Sequence, residues 1–262
     1  MKDRDTTYAA LDYQSNQTAN GLIAAGVQPG ECVAYLGKNS DRYFEILFAA
    51  SKARAITVPI GWRLSPPEIA YLIDHAEAKI VFVGRESIDQ LSTALKSTQQ
   101  KPLVVAVEEG AYEVWRDPNA PTDPAIGDAP SDITLLLFTS GTTGKPKGVM
   151  LTSDNLMRSR TNPALLGWNE WAEGEANYVA MPIAHIGGTG GCYAGLVNGV
   201  KNIIARDFNP FDVLETIGKE RIGKMFMVPA ALQFVIRMPR AREIDYSSLT
   251  HILYGASPMP VA

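Results

Sequence analysis

Short apolar runs alternate with amphipathic stretches along almost all of this chain of 262 residues. This alternation is typical of parallel β-strands joined by helical crossovers. The runs are rich in Val and Ile, as expected of strands that are covered on both faces. We therefore predict an α/β fold made of two stacked, doubly wound and mostly parallel subdomains. The predicted strands are 31–37, 56–60, 79–84, 102–107, 133–139, 178–183, 201–206, 224–228 and 251–254.

Two helix starts carry capping signals. Ser65 is followed by two prolines and by Glu68, so a serine cap, prolines in the first turn and a glutamate three residues after the cap occur together. Asn209 followed by Pro210 opens a second helix by the same rule. These starts predict helices that connect the strands on either side of them.

The stretch 117–132 interrupts the alternation. It contains four prolines together with Asp, Ala and Gly, and it has no hydrophobic period. We place a subdomain boundary there, with a first α/β subdomain over 1–128 and a second, incomplete one over 129–262.

Composition excludes several classes of protein. The 46% of hydrophobic residues and 20% of charged residues argue against a disordered chain. The net charge of −4 disfavours a nucleic-acid partner. No apolar run is long enough for an integral membrane segment, and the N-terminus lacks the character of a signal peptide. Because the two cysteines, Cys32 and Cys192, lie far apart, we expect a reducing, cytoplasmic location.

The segment 138–149 concentrates groups that bind phosphate. It directly follows an apolar strand, so it leaves the carboxyl edge of the sheet, where open α/β folds bind ligands. Glycines let successive amides point at one anion, hydroxyls add donors, and lysines supply charge. The spacing matches neither the Walker loop nor Gly-x-Gly-x-x-Gly. From the residues alone, both a polyphosphate site and a flexible surface loop remain open. The hydroxyl, glycine and lysine residues are Thr139, Ser140, Gly141, Thr142, Thr143, Gly144, Lys145, Lys147 and Gly148.

The loop 139–148 resembles the signature loop of the adenylate-forming, AMP-binding enzymes, in particular their acyl-CoA synthetase branch. Other segments are similar to that family in order and spacing. They are 7–11 with 26–34, the Pro-x-x-His-x-x-Gly pattern within 181–188, and the segment 254–259. The resemblance runs from about residue 6 to the last residue, and it covers the N-terminal portion of such an enzyme.

The resemblance implies a reaction. Members use Mg²⁺ and ATP to convert a carboxylate to an acyl-adenylate, and they then pass the acyl group to a thiol, commonly that of coenzyme A. By carry-over, Thr139 is the metal-side hydroxyl, and Lys147 is a catalytic group on the phosphates. The other loop residues expected to contact ATP are Ser140, Gly141, Thr142, Thr143 and Gly144.

The resemblance also implies a substrate site in the second half. His185 would lie beside the carboxylate and the adenylate, although a structural histidine stays open. Met227 could line the same slot or could belong to the core. The glycines expected to form the slot are Gly187 and Gly188, and the expected adenine contacts are Gly255, Ala256 and Ser257.

The resemblance does not identify the acid that is the substrate. We expect a fatty acid, with an aryl-CoA ligase as the alternative within enzymes, and a non-catalytic nucleotide- or acyl-binding module as the alternative outside them. Family members run to about twice this length, so we expect the C-terminal domain to be absent, ATP binding to be weak and turnover to be small. A homodimer stays open.

Arg54 departs from the family pattern. It stands at a helix end where the family usually has glycine. We therefore expect that helix end to be built differently.

Overall fold

The computed structural model describes residues 4–108, 110–127, 129–139, 146–161 and 167–259. The chain forms two compact units, Met1–Leu156 and Met157–Ala262. Each unit is built on one sheet. Within the described residues no helix has the length and the apolar character needed to cross a membrane.

The first unit contains a six-stranded sheet in which only the last strand is antiparallel. Its spatial order is β4-β3-β1-β2-β5-β6. Every residue of β1 and β3 is buried, as the apolar runs predict for strands covered on both faces. The strands are β1 (Cys32–Leu36), β2 (Ile56–Ile60), β3 (Ile80–Val83), β4 (Leu103–Ala106), β5 (Ile133–Thr139) and β6 (Lys147–Thr152).

Helices cover both faces of this sheet. They are α1 (Tyr8–Ala24), α2 (Asp41–Lys52), α3 (Pro66–His75), α4 (Ile88–Ala94) and α5 (Ala111–Arg116). Helices α3 and α4 bury apolar residues on one hydrophobic cluster with β1, β2 and β3. Helix α1 packs against α2 and α5. The predicted start of α3 is confirmed, because the Glu68 carboxylate accepts the Ser65 amide hydrogen at 2.7 Å.

A buried polar cluster ties α1, α2 and α5 together. Glu45 is 4% exposed, and its Oε1 accepts hydrogen bonds from the hydroxyls of Thr18 and Tyr112, both at 2.8 Å. Arg116 lies 3.3 Å from the other carboxylate oxygen. Burial raises the pKa of Glu45 above its ordinary value, although the arginine opposes the shift. Each polar atom of this carboxylate is thus paired inside the helical layer.

The second unit contains a four-stranded parallel sheet. Helix α6 (Ser153–Thr161) spans the division between the units. The sheet order is β10-β9-β7-β8, and all neighbouring strands are parallel. Its elements are β7 (Ala176–Val179), α7 (Ile186–Leu196), β8 (Lys201–Ile204), α8 (Pro210–Glu220), β9 (Ile222–Met227), α9 (Pro229–Ile236) and β10 (His251–Tyr254).

The units divide after residue 156, whereas the sequence places the boundary at 128/129. The difference arises because β5 pairs in parallel with β2, with Thr57 opposite Leu135, and β6 then pairs with β5. Strands β5 and β6 therefore extend the first sheet. The proline-rich stretch is a connection within the first unit.

Arg54 follows α2 in a left-handed backbone conformation, with φ of +53°. This is the conformation that glycine adopts without steric cost, so the helix end keeps the geometry that glycine would give. The prediction of a differently built helix end is therefore wrong for the backbone. The guanidinium group donates from Nε and Nη2 to the two carboxylate oxygens of Asp132, at 2.9 and 3.2 Å. This bidentate pair joins the end of α2 to the residue before β5.

Replacing Asp132 with asparagine tests this connection. Hydrogen bonds from Arg54 and from the Ala129 amide hold the pKa of Asp132 below its ordinary value. The carboxylate therefore stabilises the fold above the unfolded pKa of about 3.9, and this contribution is lost as the pH falls through the lower folded pKa. We expect Asp132→Asn to lower the free energy of unfolding by about 0.5 kcal/mol at pH 7, measured by urea denaturation.

The same comparison at pH 3 should give a smaller difference between the wild type and Asp132→Asn. The exposed Asp5 offers a matched control, and Asp5→Asn should leave the free energy of unfolding unchanged at both pH values. A difference for Asp132→Asn that does not change with pH would contradict the assignment.

Candidate active site

The predicted phosphate loop is closed by the β5–β6 hairpin. Thr139, the last residue of β5, pairs with Lys147, the first residue of β6. The Thr139 Oγ1 lies 3.5 Å from the Lys147 carbonyl oxygen, and both residues are exposed. Because β5 runs parallel to β2, the chain leaves it at the carboxyl edge of the first sheet. The remaining predicted loop residues, Ser140, Gly141, Thr142, Thr143 and Gly144, lie outside the described residues.

Metal ligands are sparse around this hairpin. Within the described part of the chain, no group of three or more His, Cys, Asp or Glu side chains could hold a metal ion. Thr139 offers one neutral hydroxyl oxygen. Mg²⁺ commonly takes few protein ligands and completes its shell with waters and substrate phosphates. The residues therefore fit a Mg²⁺ that arrives with a triphosphate, and they do not fit a protein-built metal site.

His185 stands at the carboxyl edge of the second sheet, at the N-cap of α7. Its backbone is extended, with φ of −120° and ψ of 151°, and its side chain makes no capping hydrogen bond. Its amide donates to the Pro182 carbonyl at 3.0 Å. The Thr189 hydroxyl donates to the Ile183 carbonyl at 2.7 Å, which fixes the turn before the helix. The imidazole is exposed at the positive end of an eleven-residue helix.

The glycines at the start of α7 allow close packing within the protein. A methyl group added at Gly188 would overlap the carbonyl oxygens of Pro182 and Met181. One added at Gly187 would overlap the ring of Phe226. The side of each glycine that we predicted to face a ligand is thus occupied by protein atoms. Both glycines therefore place the helix start against the strand ends, and their contact with a substrate stays a prediction.

Met227 faces the core. It is completely buried in a cluster with residues of β7, α8 and α9, so it does not line an open slot among the described residues. The sequence prediction did not consider its neighbour Phe226. Successive side chains of a strand point to opposite faces, so Phe226 lies on the α7 face. It is only partly buried at the carboxyl end of β9.

The predicted adenine loop follows β10. Gly255, Ala256 and Ser257 leave the carboxyl edge of the second sheet directly after Tyr254. Ala256 adopts a left-handed conformation with φ of +71°. A methyl group added at Gly255 would lie 3.5 Å from Cε2 of Phe226. The structure therefore brings Gly187 and Gly255 to the two edges of one aromatic ring.

A cavity of about 640 Å³ opens at the opposite, amino edge of the second sheet. Its lining includes the first residues of β8 and β10, Lys201 and His251, and the buried Lys224. None of the predicted site residues that the structure describes lines it. Lys201 pairs with Glu220 at 2.9 Å, so part of this charged lining is neutralised within the protein. We assign no ligand to this cavity.

The fold is that of the N-terminal domain of adenylate-forming enzymes. The structure is similar to the inhibitor-bound N-terminal domain of FACL13 from Mycobacterium tuberculosis, with a TM-score of 0.86 and 26% sequence identity. That likeness covers 97% of this chain and 64% of the other. A family model described as AMP-binding enzyme matches residues 1–262. The chain therefore belongs to the AMP-binding enzyme family.

Similar sequences include acid–thiol ligases of two kinds. The chain is 32% identical to the fatty acid–[acyl-carrier-protein] ligase ScoC of Streptomyces coeruleorubidus over 99% of its length. It is 37% identical to a feruloyl-CoA synthase of an Amycolatopsis species over 97% of its length. The chain spans 50% of each of these two proteins.

Two glycines of α7 give a matched pair of substitutions. We expect Gly188→Ala to lower the free energy of unfolding by about 1–3 kcal/mol, because the new methyl group meets backbone that cannot move aside. A methyl group at Gly190 would lie 3.4 Å from Cδ1 of Ile186, which is ordinary contact. Gly190→Ala should therefore be neutral or should stabilise the helix by up to about 1 kcal/mol. Urea denaturation measures both, and equal effects would contradict the packing described above.

Proposed function

We propose that the enzyme carrying this chain activates a carboxylic acid with ATP and transfers the acyl group to the thiol of coenzyme A. The observation that carries this proposal is the Thr139–Lys147 pair, which holds the two ends of a Thr/Gly/Lys loop at the carboxyl edge of a parallel sheet. Open α/β sheets bind nucleotides at that edge. The family assignment agrees with this function.

In the first step, a carboxylate oxygen of the acid forms a bond to the α-phosphorus of ATP. The bond between the α- and β-phosphates breaks, and pyrophosphate leaves with the electron pair. Negative charge builds on the leaving group, and the ammonium group of Lys147 is suited to stabilise it. In the proposal the hydroxyls of Ser140, Thr142 and Thr143 hold the β- and γ-phosphates, with Gly141 and Gly144 exposing amides to them.

Mg²⁺, when bound with ATP, neutralises phosphate charge and polarises the phosphoryl oxygens. In the proposal the Thr139 hydroxyl is its ligand from the protein, and the triphosphate supplies further oxygens. The position of Thr139 as the last residue of β5, paired in register with Lys147, supports this role. The protein thus positions the phosphates and leaves most of the metal shell to the substrate.

The second unit is proposed to take the acid and the adenine. His185 has its imidazole exposed beside the amino end of α7, where a carboxylate is favoured by the helix dipole. Gly255, Ala256 and Ser257 are proposed to lie along the adenine ring, because small residues let a flat base approach the backbone. Gly187 and Gly188 keep the start of α7 in place.

In the second step, the sulfur of the acceptor thiol loses its proton to solvent and forms a bond to the acyl carbon, and AMP leaves with the electron pair of the broken carbon–oxygen bond. Coenzyme A is the proposed acceptor, as the name of the feruloyl-CoA synthase relative suggests. The name of the ScoC relative points to a carrier-protein thiol instead. The same two names leave a fatty acid and an aryl acid as the substrate classes to separate.

Two substitutions in the hairpin test the proposal. Lys147→Ala should weaken ATP binding by about 10- to 100-fold, because it removes a charge-assisted hydrogen bond to phosphate. Thr139→Ala should weaken it by about 2- to 10-fold. Isothermal titration calorimetry with ATP and Mg²⁺ measures both on this chain, and ATP–pyrophosphate exchange measures activation in the enzyme that carries it.

The exposed Lys219 on α8 provides a control that removes the same charge elsewhere. Lys219→Ala should leave ATP affinity unchanged. Unaltered ATP binding and exchange in both hairpin variants would overturn the proposed function.

A further inference from the structure

The ring of Phe226 lies between the start of α7 and the loop that follows β10. At one edge, Gly187 approaches so closely that a methyl group there would overlap Cε1. At the other edge, a methyl group on Gly255 would lie 3.5 Å from Cε2. Cε1 and Cε2 are on opposite sides of the ring, so the ring packs tightly against Gly187 on one side and leaves room for a methyl group beside Gly255 on the other. The partly buried ring is therefore an aromatic surface, packed along one edge, at the carboxyl end of β9.

A polar row lies directly behind this ring. Asn177 pairs in register with Lys224 on β9 and with Asn202 on β8, so these three side chains share one face of the sheet. Lys224 precedes Phe226 by two residues, which places the row about 6.6 Å deeper on the α7 face. The Asn177 Nδ2 donates to the Asn202 Oδ1 at 2.8 Å and to the Gly191 carbonyl of α7 at 2.9 Å.

Other parts of the second unit pack against this polar row. A methyl group at Gly195 of α7 would overlap the Asn202 Oδ1, so the helix touches the sheet there. Lys224 is 1% exposed, and its ammonium group donates to the carbonyl oxygens of Gly167 at 2.5 Å and Trp168 at 3.2 Å, and also to that of Glu170. An apolar channel that continued past Phe226 on this face would have to displace these hydrogen bonds.

We infer that Phe226 determines specificity by forming the end wall of the acid site, and that the acid is short and flat, with an aryl ring that stacks on Phe226. The inference rests on the proposed function, since it concerns the acid that this function would activate. An aromatic surface favours a stacked aryl group over an alkyl chain of similar area. A long alkyl chain needs a continuous apolar path, and the Asn177–Asn202–Lys224 row blocks that path on the α7 face.

Two stable analogues of the acyl-adenylate provide the test. They are 5′-O-sulfamoyladenosine carrying a cinnamoyl group and the same compound carrying a dodecanoyl group, each titrated calorimetrically into the full chain. We expect the cinnamoyl compound to bind at least about tenfold more tightly. Tighter or equal binding of the dodecanoyl compound would overturn the inference and leave the proposed function standing. Binding of neither compound would overturn the proposed function, and the inference with it.

Phe226→Leu tests the residue itself. It keeps an apolar side chain but removes the flat surface, so affinity for the cinnamoyl compound should fall about tenfold while affinity for the dodecanoyl compound changes by less than about twofold. Phe234 on α9 is 65% exposed, and Phe234→Leu makes the same chemical change away from the site with no expected effect. Far-UV circular dichroism of both variants checks that they remain folded. Equal losses for both compounds in Phe226→Leu would contradict a specificity role.

Discussion

A parallel sheet has to bury both of its faces, and this requirement governs both units of the structure. It explains why β1 and β3 consist of buried apolar residues and why amphipathic helices follow the strands. It also sets the position of the chemistry. Because neighbouring strands run parallel, their carboxyl ends lie at the same edge of each sheet, so the residues that follow β5, β7 and β10 leave their sheets at the edges where ligands are bound in such folds.

Much of the fold follows from local patterns, and the exceptions have physical causes. The apolar runs predict the strands, and the Ser65–Glu68 cap predicts the start of α3, because burial and capping act over a few residues. The sequence does not predict strand β6, because its first four residues are exposed and show no buried face. This strand forms by pairing with β5 in a hairpin. The division of the units depends on the pairing of β5 with β2, a contact between residues about eighty positions apart along the chain. No local pattern encodes a contact of that range.

The candidate site was predictable as a set of segments and less so as a set of side chains. The loop beginning at Thr139 and the turn at His185 could be identified from their residue types and their places after strands. Phe226 could not, because three consecutive apolar residues on β9 show no alternation from which to read the face of each one. The role of Gly187 was equally ambiguous. A glycine in sequence predicts a close approach but does not indicate whether a ligand or a neighbouring ring makes it.

The residue after α2 has an implication for how the family diverges. A left-handed position that glycine occupies freely is filled here by Arg54, and the pair with Asp132 offsets part of its backbone cost. The two positions are therefore energetically dependent on each other. During evolution, a change of Arg54 to glycine would remove the need for an acidic residue at position 132. Loss of Asp132 alone would leave Arg54 in the left-handed conformation without this ion pair. Substitutions at these sites should accordingly occur together across homologous lineages.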